Sequence, residues 1–369
     1  MHLSINTDEL RNCLETVEKA LPSRSTMPVI SNVLLEISEN QLAFSATNLE
    51  MFIKTKMEYN SQQGGKILLP PKLVDIIRYF PTEKVELNIN FDNYRLDISG
   101  GSTNFHLYGS DPEDYPSTFD SVAGEGLEIL IDQSTFKNML RSVIFAASNE
   151  ETRPAFNGIL FSFKNEVISL TASDTYRLAI KKESDKNWLI EDRLSLAPAR
   201  SMRELLRLLG DNAVNITIYQ EPSVIAFQIG QVYFATRLLE EKFPDVTGVI
   251  PKEYKTRLKV NKKMLEETIS RASLLAEGKN QAVNLLVDEG QLQVKVSGQQ
   301  GSMEDLLSAD VEGEKIDVFA NTRFVLDVLK VIDDDIVILD FHGDGGPIIF
   351  RLVEDQSYIY LVLPIKKVN

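Results

Sequence analysis

The sequence predicts an α+β protein of three tandem domains, each built from two strand–helix–strand–strand–strand units. Two observations carry this. An order of strand, amphipathic helix and strand pair recurs three times at constant spacing, and each recurrence is followed by a second half of the same design. The strands alternate apolar and polar residues, as in Val85, Leu87, Ile89 and Phe91, which fits half-buried antiparallel sheets with helices in the other layer. The expected domains are N-terminal 1–125, central 126–253 and C-terminal 254–369, with the turn-rich stretches 111–126 and 244–256 as linkers.

In chain order, residues 3–6 open a strand and 8–20 follow as a helix, with Leu10, Leu14 and Val17 at helical spacing. A loop holding Pro22 and Pro28 leads to strands at 33–37 and 42–46. The same order restarts at Ile129: Phe136, Met139, Leu140 and Val143 form the helical stripe, and 159–163 and 167–172 form a hairpin around Lys164-Asn165-Glu166. Ile5, Ile37, Leu42, Phe44 and Ala46 fall on Ile131, Phe163, Ile168, Leu170 and Ala172. A third copy starts at Leu258, with its helix at 262–276 and strands at 283–287 and 291–296.

The second halves run 66–69, 71–80, 85–91 and 94–98; then 193–196, 199–209, 214–219 and 224–229; then 315–319, 322–332, 336–341 and 348–353. Pro70, Pro198 and Asn321 stand where first-turn or cap residues belong. Closing strands are expected at 103–108, 232–239 and 357–363.

Of the 369 residues, 43% are hydrophobic and 25% charged, a globular composition. No apolar run approaches the roughly 20 residues of a membrane helix, and no signal peptide is visible, so no membrane association is expected. A single cysteine, Cys13, excludes an internal disulfide framework and fits a reducing cytoplasm. On the first helix it reads as a small core or flank residue. Enzyme chemistry finds no support. His2, His106 and His342 lack ligand spacing, and no phosphate-cradling glycine motif follows a strand. Gly343-Asp344-Gly345-Gly346 reads as a turn and Asp333-Asp334-Asp335 as an exposed loop. No catalytic residue, metal or cofactor is expected; the chain reads as a binding or scaffolding protein.

The net charge of −15 argues at first against nucleic acid, whose binding draws on Lys and Arg. The helices contradict the average. Arg200, Arg203 and Arg207 lie within about 60° on one helix face, opposite Met202, Leu205, Leu206 and Leu209. Arg323 and Lys330, Lys72 and Arg78, and Lys137 and Arg141 repeat the feature, while Glu15, Glu18, Glu266 and Glu267 dilute it. A solvated face explains any one helix. Recurrence on equivalent helices points instead to a shared basic surface that touches phosphates without reading sequence.

On this threefold frame sit several motifs: 21–32 (Leu-Pro-Ser-Arg-Ser-Thr-Met-Pro-Val-Ile-Ser-Asn), Asn157-Gly158, and 172–179 with its Asp-x-x-Arg-Leu-Ala core. Lys242-Phe243-Pro244-Asp245, 324–329 (Phe-Val-Leu-Asp-Val-Leu) and Val362-Leu363-Pro364 complete the set. With these, the chain resembles the bacterial DNA sliding clamps, the beta subunits of DNA polymerase III, over essentially its full length. The resemblance implies a DNA clamp fold in which a head-to-tail homodimer closes into a ring around duplex DNA. Such a ring is a processivity factor, and retention is topological, so weak sliding contact suffices. A protein-interaction adaptor of the same fold, without DNA passage, is the alternative.

The resemblance also implies site residues. DNA contact carries over to Arg24, Arg153 and Arg200, beside the helix-face residues Arg203, Arg207, Lys137, Arg141 and Arg323. Glu150 stands where a neutral polar residue is usual, and Pro154-Ala155 replaces aromatics of some members. Ring closure would use Phe105 and Leu107 against Leu274 and Leu275, with Lys72 facing Glu304 or Asp305. A partner pocket maps to Phe156, Ser173, Thr175, Tyr176, Arg177, Leu178, Pro244, Val249, Leu361 and Leu363. It would accept short Gln-, Leu- and Phe-rich peptides from the polymerase III alpha subunit, the clamp loader, repair polymerases and mismatch-repair proteins. Tyr176 stands where many members have His, and residues 366–369 extend past the usual end. Asn48 matches Asp174, but neither other copy carries Asp-Thr-Tyr-Arg-Leu, so the partner site is expected on that unshared tail.

Overall fold

Residues that end a strand also cap the next helix. The computed structural model describes residues 1–61, 63–116, 127–150, 152–188, 190–212, 214–278 and 281–366. Its helices are α1 (Thr7–Glu18), α2 (Lys72–Arg78), α3 (Gln133–Ile144), α4 (Ala199–Leu208), α5 (Lys262–Ser273) and α6 (Thr322–Leu329). Asn6 Oδ1 accepts from the backbone N–H groups of Asp8 and Glu9 at the start of α1, and Asn321 Oδ1 from Arg323 and Phe324 at the start of α6. Asp132 does the same for Thr135 in α3, and Asn261 for Met264 in α5. Each cap satisfies N–H groups that the helix itself leaves unpaired.

The chain forms two packing units, residues 1–135 with 203–238 and residues 136–202 with 239–369. They cut across the sequence repeats: the central repeat gives its first half largely to the second unit and its second half to the first. In the first unit an eight-stranded antiparallel sheet runs Gly65–Leu69, Val33–Ser38, Gln41–Thr47, Met51–Glu58, Val232–Arg237, Val224–Ile229, Asn215–Gln220, Leu127–Asp132. Its seam between repeats puts Phe52 opposite Ala235. A four-stranded sheet of His2–Asn6, Lys84–Asn90, Arg95–Gly100 and Thr103–Tyr108 completes the unit.

The second unit repeats the plan. Its nine-stranded sheet runs Ile190–Pro198, Gly158–Asn165, Val167–Ser173, Arg177–Ser184, Tyr358–Val362, Ile348–Arg351, Ile336–Phe341, Thr256–Asn261, Asp310–Gly313. Here Leu178 stands opposite Leu361 at the seam. The smaller sheet is Gly301–Ser308, Gln291–Gly298, Ala282–Asp288 and Ile316–Asn321. Phe44, Phe227 and Phe234 are fully buried in the first unit, and Phe136, Phe161, Phe163, Phe341, Phe350 and Tyr360 in the second.

Two features depart from the sequence reading. The third strand of each first half, at Met51–Glu58, Arg177–Ser184 and Gly301–Ser308, carries charged residues that mask its period-two pattern; Arg177 and Lys181 are nonetheless buried. The helices also stop earlier than expected, α5 at Ser273 and α6 at Leu329. Cys13 is a flank residue, half-buried beside Thr55, and burial pushes its thiol up. The linker stretch 117–126 and the terminal 367–369 lie outside the described residues.

Candidate partner cleft and basic helix faces

The loop that joins Val167–Ser173 to Arg177–Ser184 is tied by its own side chains. Ser173 Oγ donates to the Arg177 carbonyl at 2.7 Å and accepts from the Thr175 N–H at 3.1 Å. Asp174 Oδ1 accepts from the Tyr176 and Arg177 N–H groups, both at 3.0 Å. These bonds hold Thr175 at φ +78°, a left-handed conformation that β-branched residues rarely adopt. Arg153 Nη1 donates to Thr175 Oγ1 at 2.8 Å.

The first repeat closes its loop in the same way, although its sequence differs from Asp-Thr-Tyr-Arg-Leu. Leu49 has φ +73°, Thr47 Oγ1 donates to the Met51 carbonyl at 2.8 Å, and Asn48 Oδ1 accepts from Glu50 and Met51 N–H groups. The turn is common to both copies. Only its chemistry differs: Tyr176 and Arg177 replace Glu50 and Met51.

Arg177 is 6% exposed and anchors the loop to α6. Its Nε donates to Asp174 Oδ2 at 2.8 Å and its Nη1 to Asp327 Oδ2 at 2.7 Å. The guanidinium lies 4.4 Å from the Phe324 ring centroid and 5.6 Å from that of Phe145. Burial works against its charge, but the hydrogen bond to Asp327 and the charge of Asp174 outweigh it and hold the guanidinium above its ordinary value. Burial pushes the Tyr360 phenol up as well, so it stays neutral at pH 7 and donates to the Phe324 carbonyl at 3.0 Å.

Leu178 and Leu361 lie within strands, whereas Tyr176 and Leu363 lie just outside the strand ends, and the expected pocket residues separate accordingly. Leu178 and Leu361 are buried in an apolar cluster with Ile180 and Ile349, against which Val246, Ile250 and Ile359 pack. Tyr176, Arg177 and Leu363 instead line a cleft of about 890 Å³ together with Glu150, Phe324 and Arg323. Tyr176 is 58% exposed and Leu363 44%. Phe156 is half-buried edge-on to Phe243, at 5.7 Å between centroids, while Pro244 and Val249 are exposed on the following loop. Phe324 and Arg323 were missed as cleft residues. The helical spacing placed Arg323 off the apolar stripe but could not tell a cleft from a DNA-facing surface.

The basic residues fall into two classes. Arg24 and Arg200 are exposed and make no ion pair among the described residues. Arg78, Arg141 and Arg207 are engaged. Arg207 pairs with Glu204 at 2.7 Å, and Arg78 with Glu15, Glu18 and Asp75 at 2.9, 2.6 and 3.3 Å. Arg141 donates to the Lys330 carbonyl at 2.8 Å and sits 3.7 Å from Asp333. Arg203 is half-buried, and burial pulls its guanidinium down; Lys137 is half-buried too. The groove bearing Glu15, Glu18, Lys19, Arg78, Glu204 and Arg207 is therefore of mixed charge.

The residues expected to close a ring sit on outer strands and at helix ends. Thr103–Tyr108 is the outer strand of the first unit's small sheet, with Phe105 39% exposed and Leu107 half-buried. Gly301–Ser308 is the outer strand of the second unit's small sheet, where Glu304 lies 3.7 Å from Lys295. Leu274, just past α5, is 83% exposed and Leu275 half-buried. Within the chain, Lys72 pairs with Asp75 at 3.0 Å, and Asp305 with Arg271. Uncovered outer strands of this kind invite pairing with another chain.

Among the described residues, no group of three or more His, Cys, Asp or Glu could hold a metal, and no helix is long and apolar enough to cross a membrane. Comparison with known proteins gives a consistent result. Family models for the DNA polymerase III beta subunit match in order: the N-terminal domain over residues 1–119, the central domain over 130–245 and the C-terminal domain over 247–366. The beta sliding clamps of Staphylococcus epidermidis and Staphylococcus aureus are each 29% identical, covering 99% of both chains. The DNA polymerase sliding clamp of Bacillus subtilis superposes with a TM-score of 0.94 at 28% identity, and the DNA polymerase III beta subunit of Thermotoga maritima with 0.90 at 26%; both matches cover all of each chain. With three successive domain models and full-length structural likeness in agreement, this chain belongs to the DNA polymerase III beta-subunit family, the bacterial DNA sliding clamps.

Proposed function

We propose that two copies of this chain close head to tail into a ring around duplex DNA and tether the replicative polymerase to its template. The observation that carries this reading is the match of all three beta-subunit domains in order along one chain. As a member of that family the chain is a non-catalytic accessory subunit of DNA polymerase III. The exposed apolar residues Phe105 and Leu274 on separate units support closure between two copies. Arg24 and Arg200, uncommitted to internal ion pairs, are the residues best suited to touch passing phosphates. The mixed charge of the remaining groove favours weak, sliding contact over tight binding.

In the same reading, the cleft at Tyr176, Phe324 and Leu363 receives short Gln-, Leu- and Phe-rich segments of the polymerase alpha subunit, clamp loader and repair proteins. An apolar floor with a few polar rim groups suits such segments. The decisive experiment loads the protein onto nicked circular DNA with its loader and then linearises the circle. Release on linearisation is expected, and retention would overturn topological binding. Arg24→Glu and Arg200→Glu should impair loading or sliding with stability changed by no more than about 0.5 kcal/mol, since both side chains are exposed. An adaptor without DNA passage would be indifferent to them.

A further inference from the structure

Taking the cleft as the peptide site, we propose that Arg323 makes it selective for a client segment that presents a carboxylate beside its apolar anchors. Arg323 stands on the second residue of α6, adjacent to Phe324 in the cleft wall. Its side chain is 69% exposed, and its nearest carboxylate, Asp327, lies 3.9 Å away. That carboxylate is already taken at 2.7 Å by Arg177, and the carboxylate of the neighbouring loop, Asp174, is taken by Arg177 at 2.8 Å. Lys366, also in the cleft wall, is exposed and makes no ion pair among the described residues. Two exposed cations therefore share this wall, Arg323 held only loosely by Asp327 at 3.9 Å. Glu150 is the remaining acidic side chain of the cleft and makes no ion pair among the described residues.

The geometry separates rigid from adaptable parts. Phe324 is fixed by the Arg177 guanidinium stacked over it, so the apolar wall is preformed. Arg323 extends from the same helix turn with its side chain 69% exposed and only a 3.9 Å contact to Asp327, and a guanidinium binds carboxylate with paired, directional N–H donors. The carboxylate has two possible sources, an Asp or Glu side chain or the terminus of the client chain, and both offer the same two acceptor oxygens.

Equilibrium fluorescence anisotropy on the intact protein tests this. The probes are fluorescein-labelled hexapeptides of Gln, Leu and Phe, C-terminally amidated, with one Asp walked through the positions, and their Asn and Lys counterparts; a free-acid version separates the terminal source. At one position, or for the free acid, binding about three- to tenfold tighter than the neutral counterpart is expected, the size of a partly screened ion pair. The preference should vanish in Arg323→Gln, turn toward the Lys peptide in Arg323→Glu, and shrink with added salt. Asp, Asn, free-acid and amide peptides all binding within twofold of one another would overturn the selectivity while leaving the peptide site intact. If no peptide binds at all, the site assignment falls and the selectivity with it.

Discussion

Removing Asp327 should show how far the candidate site depends on one buried cation. Arg177 is 6% exposed and compensated by two carboxylates, at 2.7 and 2.8 Å. Deleting one partner of a buried pair costs about 3–5 kcal/mol, mostly because the other charge stays buried. In Asp327→Ala the Asp174 contact survives, and Asp327 is itself 22% exposed, so about 2–3 kcal/mol is the expected loss. For a unit of this size that is a melting temperature lower by roughly 5–10 °C. Asp327→Asn keeps an acceptor oxygen and should cost about half as much. Circular dichroism melts supply the first readout and peptide anisotropy the second. Peptide affinity should fall too, because Arg177 orients the Asp174 that ties the Tyr176 loop. A melting temperature within about 1 °C of the parent would refute the idea that Arg177 needs both carboxylates.

Leu178→Ala or Leu361→Ala should cost about 2–4 kcal/mol of stability, since both side chains are buried in one apolar cluster. Leu363→Ala, at 44% exposure, should instead weaken peptide binding by about 1–2 kcal/mol with little change in the melt; urea titration beside anisotropy separates the two classes. Glu36 is paired to Lys54 at 2.7 Å and to Lys66. Burial opposes its ionisation, but the lysine hydrogen bonds outweigh it and hold the carboxyl below its ordinary value. Its contribution is therefore present above the unfolded value, near pH 4.3, and lost as pH falls through the lower folded value. Glu36→Gln should lower the melting temperature at pH 7, and the gap from the parent should close as the medium is acidified below pH 4.3; a gap that persists at low pH would contradict this.

Much of this architecture could be read from residue order because repetition makes weak signals add. One hairpin of alternating residues is ambiguous, but Ile5, Ile37 and Phe44 falling on Ile131, Phe163 and Leu170 are not. Asn321 was legible as a cap, and it is one. The strand Arg177–Ser184 was not legible, because buried Arg177 and Lys181 carry the charges of a surface segment and are compensated by Asp327 and Asp355, far away in the chain. The same holds for the basic faces. Helical spacing located Arg78 and Arg207 correctly on solvent-facing sides, but only the fold reveals that Glu15, Glu18 and Glu204 meet them. For the site, family resemblance supplied Tyr176 and Leu363. Placing Arg323 in the cleft wall needed the approach of α6 to the loop, which no local pattern encodes.

The paired loops at Leu49 and Thr175 bear on how such a chain tolerates change. Their backbone shape is set by a hydroxyl and an Asx side chain, Thr47 and Asn48 in one and Ser173 and Asp174 in the other. The two residues between the anchors are free to differ, as Leu49-Glu50 against Thr175-Tyr176 shows. Insertions or deletions there would destroy the turn, whereas exchanges at its tip would leave the turn intact. If this loop binds partner segments as proposed, change in their preference is channelled into point substitutions at fixed backbone positions, and an inhibitor built on the loop's main chain would meet fewer escape routes than one built on the side chain of Tyr176.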